Sequence, residues 1–101
     1  MKSQIALEVT AVCIGDNRYN LIANTDCVLK TGMIIQIDAE NLELGIAFSR
    51  EDVSVYPCRY LKSYTTNNLN GSVLFSLKRV ESGELLIKKG DRIAQVSIKL
   101  K

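Results

Sequence analysis

The sequence predicts an all-β fold in a single domain spanning residues 1–101, built as a sandwich or barrel of short strands. Apolar residues alternate with polar ones at a period of two in several segments, as in half-buried strands. Turn-forming residues recur about every eight to twelve positions, which is typical of such folds. No ten-residue stretch carries the apolar stripe of an amphipathic helix.

Residues that favour turns bound each predicted strand. In residues 5–14, Ile5, Leu7 and Val9 alternate with polar or small side chains, which predicts a half-buried strand ended by Gly15. Residues 38–41 favour one helical turn, but they are too few for a stable helix. The other segments predicted as strands are residues 19–23, 27–29, 33–37, 44–49, 53–56, 72–80 and 85–87.

The clearest pattern lies at residues 85–100, LLIKKGDRIAQVSIKL. A lysine-rich turn leads into an alternating run, which predicts a hairpin and a final strand. One face of that strand is expected to carry Ile93, Gln95, Ser97 and Lys99, and the opposite face Ala94, Val96, Ile98 and Leu100.

Two polar segments are predicted as loops. Residues 81–84, ESGE, have the composition of a hairpin loop between two strands. Residues 62–71, KSYTTNNLNG, are rich in Thr and Asn, which satisfy local backbone groups in turns, so we expect an exposed loop there.

Charge and hydropathy exclude several classes of protein. The chain has 13 Lys and Arg residues against 11 Asp and Glu. The basic side chains are spread out except toward the C-terminal end, so the sequence shows no basic patch typical of specific nucleic-acid binding. No apolar run approaches the roughly 20 residues of a membrane helix. We therefore predict a soluble, intracellular protein without membrane contact.

The reactive residue types narrow the possible chemistry further. Three cysteines, Cys13, Cys27 and Cys58, suggest neither a disulfide framework nor a metal site, and we interpret them as buried small hydrophobic residues. The chain has no histidine, which excludes Ser-His and Cys-His nucleophile pairs and His-ligated zinc. No cofactor, no metal site and no catalytic residue are predicted.

Residues 90–96, GDRIAQV, resemble the fourth motif of trimeric dUTPases, and ESGELLIKKG before them has that family's spacing. Nearer the N-terminus, residues 18–21, RYNL, and residues 26–33, DCVLKTGM, are similar to the family's first motif and the turn after it. The resemblance covers most of the chain in order. It implies a dUTPase-like β-barrel or jelly-roll fold and a homotrimer.

The same comparison shows where this chain departs from the family. Asn20 stands where the family has an aspartate that organises Mg-triphosphate, and an amide lacks the charge that a hard cation favours. Residues 57–60, PCRY, lack the serine and glycine of the second motif. At the third motif Thr66 replaces the water-activating acid and Leu69 the tyrosine. The glycine-rich fifth motif has no counterpart before Lys101.

Losing a general base typically costs about 10²- to 10⁴-fold in rate, so the resemblance implies a fold without its reaction. We expect a non-catalytic accessory protein of a phage or virus that binds a nucleotide-type ligand or a host protein. The ligand-binding candidates implied by the resemblance are Tyr19, Asn20, Arg59, Arg92 and Gln95.

Four of the five candidates also have a purely structural interpretation. Tyr19 would be a core or interface ring, Arg59 a surface charge, and Gln95 a solvent-facing strand residue. Arg92 would pair locally with Asp91 or Glu84.

The lysines near the C-terminus and the function itself likewise leave alternatives open. Lys88, Lys89, Lys99 and Lys101 either attract anions or protect a last strand from edge-to-edge aggregation. The alternative functions are a structural virion module built as a symmetric trimer and a weakly active dUTPase. We accordingly expect the protein in the cytoplasm, that of the host cell if it is viral, or in the virion if it is structural.

Overall fold

The structure is a computed structural model that describes residues 4–99, and these residues form ten β-strands. The strands are β1 (Gln4–Ala6), β2 (Val9–Gly15), β3 (Arg18–Ala23), β4 (Cys27–Leu29), β5 (Ile34–Asp38), β6 (Val53–Pro57), β7 (Leu61–Asn67), β8 (Val73–Arg79), β9 (Leu85–Ile87) and β10 (Arg92–Ile98). Two single 3₁₀ turns lie at Ala39–Leu42 and Arg50–Asp52. The predicted all-β class is confirmed. Neither turn approaches the length or hydropathy of a membrane-crossing helix, and residues 4–99 contain no such helix.

The ten strands form two four-stranded sheets and one two-stranded ribbon. Sheet I has the order β1-β5-β8-β7, sheet II has the order β2-β3-β10-β6, and β4 pairs with β9. All pairs are antiparallel except β1 with β5. Each large sheet has two edge strands within the described residues, so the architecture is an open sandwich.

The core lies between the two large sheets and explains the alternation in the sequence. Side chains alternate between the faces of a strand, so every second residue of β3, β5, β8 and β10 points inward. The largest side chains with less than 2% exposure are Phe75, Leu21, Leu29, Ile35, Leu77, Ile93 and Val96. The apolar half of each strand pattern is therefore what joins the sheets.

The strand predicted at residues 5–14 is wrong as one element. It breaks at Leu7 and Glu8, so that β1 pairs with β5 in sheet I while β2 pairs with β3 in sheet II. The backbone N–H of Asn24 donates to the carbonyl of Glu8 over 2.9 Å at this crossing. The alternation of buried and exposed residues continues across the break, because both halves face the same core.

Two further segments differ from prediction. Residues 44–49 form no strand; Leu44, Ile46 and Phe48 pack against the core from an irregular segment, so packing alone explains their spacing. Most of the predicted loop at residues 62–71 is instead strand β7, which pairs with β8 along its whole length. Thr is β-branched and favours strands, so the polar composition masked a strand.

The two predicted hairpins near the C-terminus are also wrong. The segments before and after residues 81–84 belong to different sheets, since β8 lies in sheet I and β9 pairs with β4. The turn at residues 88–91 likewise joins β9 to β10 of sheet II. It is closed by the Asp91 carboxylate, which accepts the Lys88 N–H over 2.9 Å.

The last strand lies inside its sheet. Strand β10 pairs with both β3 and β6, so Lys99 does not protect an edge strand, contrary to one interpretation of the lysines. A register shift between Arg92 and Ala94 also turns Ile93 inward, where it is fully buried, and not toward the face of Gln95. Leu100 and Lys101 lie outside the described residues.

Arg79 is a buried cation at the end of β8. Its residue is 6% exposed, and its guanidinium donates to the carbonyls of Tyr60, Ser82 and Gly83 over 3.1–3.3 Å. It also pairs with the Glu81 carboxylate at 3.2 Å. Arg79 thereby connects residues 81–83 to residues 58–60, the turn that joins β6 of sheet II to β7 of sheet I.

Replacing the buried arginine should destabilise the protein strongly. In Arg79→Met the apolar stem remains, but three backbone carbonyls lose their charged donor. We expect a loss of about 2–4 kcal/mol in the free energy of unfolding, measured by urea denaturation. Glu84→Ala, in the same exposed loop, is the control and should change stability by about 0.5 kcal/mol at most. A similar effect of both variants would contradict a structural role for the guanidinium.

Asp38 anchors the loop between β7 and β8. Its carboxylate accepts hydrogen bonds from the Asn68 amide at 2.8 Å, from the Glu40 backbone N–H at 2.9 Å and from the Ser72 hydroxyl at 3.0 Å. The hydrogen bond from Asn68, followed by those from Glu40 and Ser72, lowers the pKa of Asp38. The loop at residues 68–72 is thus fastened to the 3₁₀ turn that starts at Ala39.

This lowered pKa predicts a pH-dependent contribution to stability. The contribution is present above the unfolded pKa of about 3.9 and is lost as the pH falls through the folded pKa. Asp38→Asn should therefore lower the melting temperature at about pH 7 and have less effect near about pH 3. Asn68→Ala removes one donor and should reproduce part of this pattern. Thermal unfolding followed by circular dichroism tests both variants, and an equal effect at the two pH values would contradict the assignment.

Candidate functional site

The five ligand-binding candidates lie in three places. Asn20 and Gln95 are neighbours on the outer face of sheet II, and Arg59 and Arg92 line one pocket. Tyr19 points toward the core, and its hydroxyl donates to the carbonyl of Leu44 over 3.2 Å. The fold therefore forms two pairs of candidate residues and leaves Tyr19 apart from both.

A row of four residues crosses the outer face of sheet II. Val12 of β2 lies opposite Asn20 of β3, Asn20 lies opposite Gln95 of β10, and Gln95 lies opposite Tyr56 of β6. We call these four residues the outer row. Val12 is 46% exposed and Tyr56 is 58% exposed, so both ends of the row are open to solvent.

Asn20 has an unsatisfied polar atom in the middle of this row. Its Oδ1 atom is buried and accepts no hydrogen bond from the residues of the chain that the structure describes. A buried acceptor without a partner costs about 1–3 kcal/mol, so its presence calls for an explanation. The unpaired oxygen of Asn20, next to Gln95, therefore lowers the stability of the fold.

Arg59 and Arg92 meet in a pocket of about 360 Å³. Residues 58–60 form one wall, strand β9 a second and residues 91–93 a third. We call this cavity the arginine pocket. Strand β9 supplies apolar side chains, whereas the two arginines and Tyr60 supply charge and an aromatic ring, which is the mixture typical of small-molecule sites.

Backbone geometry holds the wall that carries Arg59. The N–H of Cys58 donates to the carbonyl of Ile93 over 2.9 Å, which attaches this turn to β10. Tyr60 then adopts a left-handed backbone with φ of 74°. The guanidinium carbon of Arg59 lies 5.4 Å from the centre of the Tyr60 ring, and that of Arg79 lies 5.8 Å from it. The ring therefore lies within cation–π distance of two guanidinium groups.

Arg92 forms no ion pair within residues 4–99, where the ion pairs are Arg50 with Glu51 and Arg79 with Glu81. The proposed local pairing of Arg92 with Asp91 or Glu84 is therefore wrong, and the Asp91 carboxylate accepts the Lys88 N–H instead. The N–H groups of the Arg92 guanidinium are therefore available to bind another anionic group.

The thiol of Cys58 lies among the same charges. Burial raises its pKa most strongly, while the positive charge of Arg92 lowers it and the negative charge of Asp91 raises it. The net shift is upward, so the thiol stays protonated at neutral pH. A protonated thiol is a poor nucleophile, and Cys58 therefore serves as a small side chain in the wall of the pocket.

The positions that replace the family's acidic residues do not meet within one chain. Asn20 lies on the outer face of sheet II, whereas Thr66 is exposed on β7 at the edge of sheet I. Residues 4–99 also contain no group of three or more Cys, Asp or Glu side chains placed to hold a metal ion.

Sequence reasoning missed three residues of these sites, namely Val12, Tyr56 and Tyr60. The sequence did indicate the orientation of Tyr56: Val53 and Val55 face the core, so the residue that follows Val55 in the strand faces away from it. Val12 shares this pattern with its neighbours in β2. The left-handed backbone of Tyr60 had no sequence signal, because glycine is the usual residue there.

Replacing the unsatisfied amide tests its cost. Asn20→Val removes the buried oxygen and introduces a β-branched side chain that favours a strand. We expect the free energy of unfolding to rise by about 1 kcal/mol, measured by urea denaturation. Gln95→Val is the matched control on the neighbouring strand and should give a smaller change. A loss of stability in Asn20→Val would show that the amide is satisfied in solution.

A scan against protein-family models finds no match, and searches of curated proteins and of solved structures find none either. The resemblance to trimeric dUTPases therefore stays a prediction from the motifs in the sequence. We therefore infer the function from the geometry of the arginine pocket and of the outer row.

Proposed function

We propose that this chain is a non-catalytic binding protein that holds an anionic, nucleotide-type ligand in the arginine pocket. The observation that carries the proposal is the meeting of Arg59 and Arg92, which are distant in sequence, beside one aromatic ring. Guanidinium groups bind phosphate through paired N–H donors, and Tyr60 adds an apolar ring edge beside them. Arg92 contributes a guanidinium without a carboxylate partner in the described chain.

The size and walls of the pocket support a small ligand. A volume of about 360 Å³ falls within the range of about 300–1,000 Å³ found for small-molecule sites. Leu85 and Ile87 are half-buried or buried and belong to the apolar wall opposite the arginines. This arrangement suits a molecule with one apolar or aromatic part and one anionic part.

A larger cleft is a poorer candidate for such a ligand. It measures about 620 Å³ and lies between β1, β2 and the 3₁₀ turn at Ala39–Leu42. Glu8, Asp38 and Glu43 line it, and no Lys or Arg of residues 4–99 does. Carboxylates repel phosphate; the arginine pocket has one, Asp91, against two arginines, whereas the larger cleft has three and no base among the described residues, so charge favours the arginine pocket.

Binding without turnover agrees with the side chains available. The chain has no histidine, and Asn20 and Thr66 replace the acidic residues that the dUTPase family uses. A host protein in place of the nucleotide, and the homotrimer, stay predictions that come from the resemblance alone.

Calorimetric titration with nucleoside mono-, di- and triphosphates and cyclic nucleotides tests the proposal. We expect binding that weakens about tenfold to a hundredfold in Arg59→Gln and in Arg92→Gln, because each loses a charge-assisted hydrogen bond. Arg50→Gln is the matched control. Arg50 precedes β6 and pairs with Glu51 at 3.5 Å, at the end of that strand away from the pocket.

Two outcomes would contradict the proposal. Absence of heat with every nucleotide would remove the small-molecule ligand, and equal weakening in all three arginine variants would show unspecific charge attraction. Incubation with dUTP and Mg²⁺ should release no pyrophosphate. Release at a steady rate would instead support the weakly active dUTPase.

A further inference from the structure

The four edge strands of the two large sheets are not equally protected against pairing with another strand. Strand β1 has three residues, β6 ends in Pro57 and β7 carries Lys62. Short length, proline and lysine are the features by which edge strands avoid association. Strand β2, VTAVCIG, has seven residues with neither charge nor proline, and its register shift against β3 falls only at its end, between Cys13 and Gly15, so it is the least protected edge of the two large sheets.

The hydrogen bonding of β2 shows which backbone groups are available. The Asn24 N–H donates to the carbonyl of Glu8, so Glu8 belongs to a hydrogen-bonded pair with β3. Such pairs alternate along an antiparallel ladder, which directs the backbone groups of Thr10 and Val12 toward β3. The N–H and carbonyl groups of Val9, Ala11 and Cys13 therefore point outward from the sheet edge.

The side chains of β2 are open to solvent as well. Val12 is 46% exposed and Ile14 is 39% exposed, and both lie on the outer face of sheet II. Cys13 is exposed too. The edge therefore combines unpaired backbone groups with apolar side chains that water solvates poorly.

We propose that β2 is a self-association surface that pairs antiparallel with β2 of a second copy, about a two-fold axis at Val12. Ala11 and Cys13 of one copy then exchange backbone hydrogen bonds with Cys13 and Ala11 of the other. Val12 faces Val12 of the second copy in a non-hydrogen-bonded pair, where side chains approach most closely. The outer row thereby continues across eight strands.

A second copy fits this edge because β2 is complementary to itself. Strand β2 itself contains no charged residue, so no charges oppose each other within the paired strands, and the exposed Val12 side chains meet at the axis. A two-fold axis at Ala11 would satisfy the same backbone groups, but it would place Val12 opposite Thr10 and so lose the contact between two valine side chains. Apolar contact therefore favours the axis at Val12.

Light scattering after size-exclusion chromatography tests the assembly. We expect the wild-type protein to have twice the 11.2 kDa of one chain. Val12→Lys should give the mass of one chain, because two lysines directly opposite each other repel. Tyr56→Lys is the matched control at the other end of the outer row and should leave the double mass unchanged. Circular dichroism confirms that both variants, which alter exposed residues, stay folded.

Cysteine cross-linking tests the register. In a Cys13→Ala background, Val12→Cys should oxidise to a covalent dimer whose linked peptide is identified by mass spectrometry, because directly opposed residues lie within reach of a disulfide. Thr10→Cys should not, since the two copies of this position lie on opposite sides of the axis. A cross-link through Ala11→Cys in place of Val12→Cys would overturn the proposed register.

The mass measurement can also overturn the proposal itself. A wild-type mass of one chain at all concentrations would exclude self-association. A mass of three chains that Val12→Lys leaves unchanged would exclude β2 as the interface and support the trimer implied by the resemblance. Nucleotide binding is a separate readout, because the arginine pocket contains no residue of β2.

Discussion

The pairing of β10 with two strands at once is the interaction on which the rest of the molecule depends. Backbone hydrogen bonds join β10 to β3 on one side and to β6 on the other, which places Gln95 between Asn20 and Tyr56. At the beginning of β10 the register shift leaves Arg92 beside the turn that follows β6. The outer row and the arginine pocket are therefore two consequences of one strand position.

Arg79, the last residue of β8, has the corresponding role for the turns and loops around it. Burying a guanidinium is unfavourable unless its donors are satisfied, and here backbone carbonyls and the Glu81 carboxylate satisfy them. One of these carbonyls belongs to Tyr60, whose backbone is left-handed. The cation that organises the loop at residues 81–83 thus also holds the ring of the arginine pocket in place.

Sheet II has two features that are unfavourable for an isolated chain. Its outer face contains an unsatisfied amide at Asn20, and its edge strand β2 has no charge to oppose association. Neither feature improves the stability of an isolated chain, because a buried unpaired oxygen costs free energy and an open edge invites aggregation. Both features lie on sheet II, whose open edge is the surface of the assembly proposal.

The sequence by itself determined the all-β class, most of the strands and the inward faces, because period-two alternation is a local property. The resemblance also named Arg59, Arg92, Asn20 and Gln95 as candidates, although as separate residues. Only the tertiary structure decided which strands pair: that residues 5–14 divide between two sheets, that residues 62–67 form a strand, and that the turn before β10 joins different sheets. Strand pairing depends on backbone hydrogen bonds between distant segments, and those bonds leave no mark on the composition of either segment.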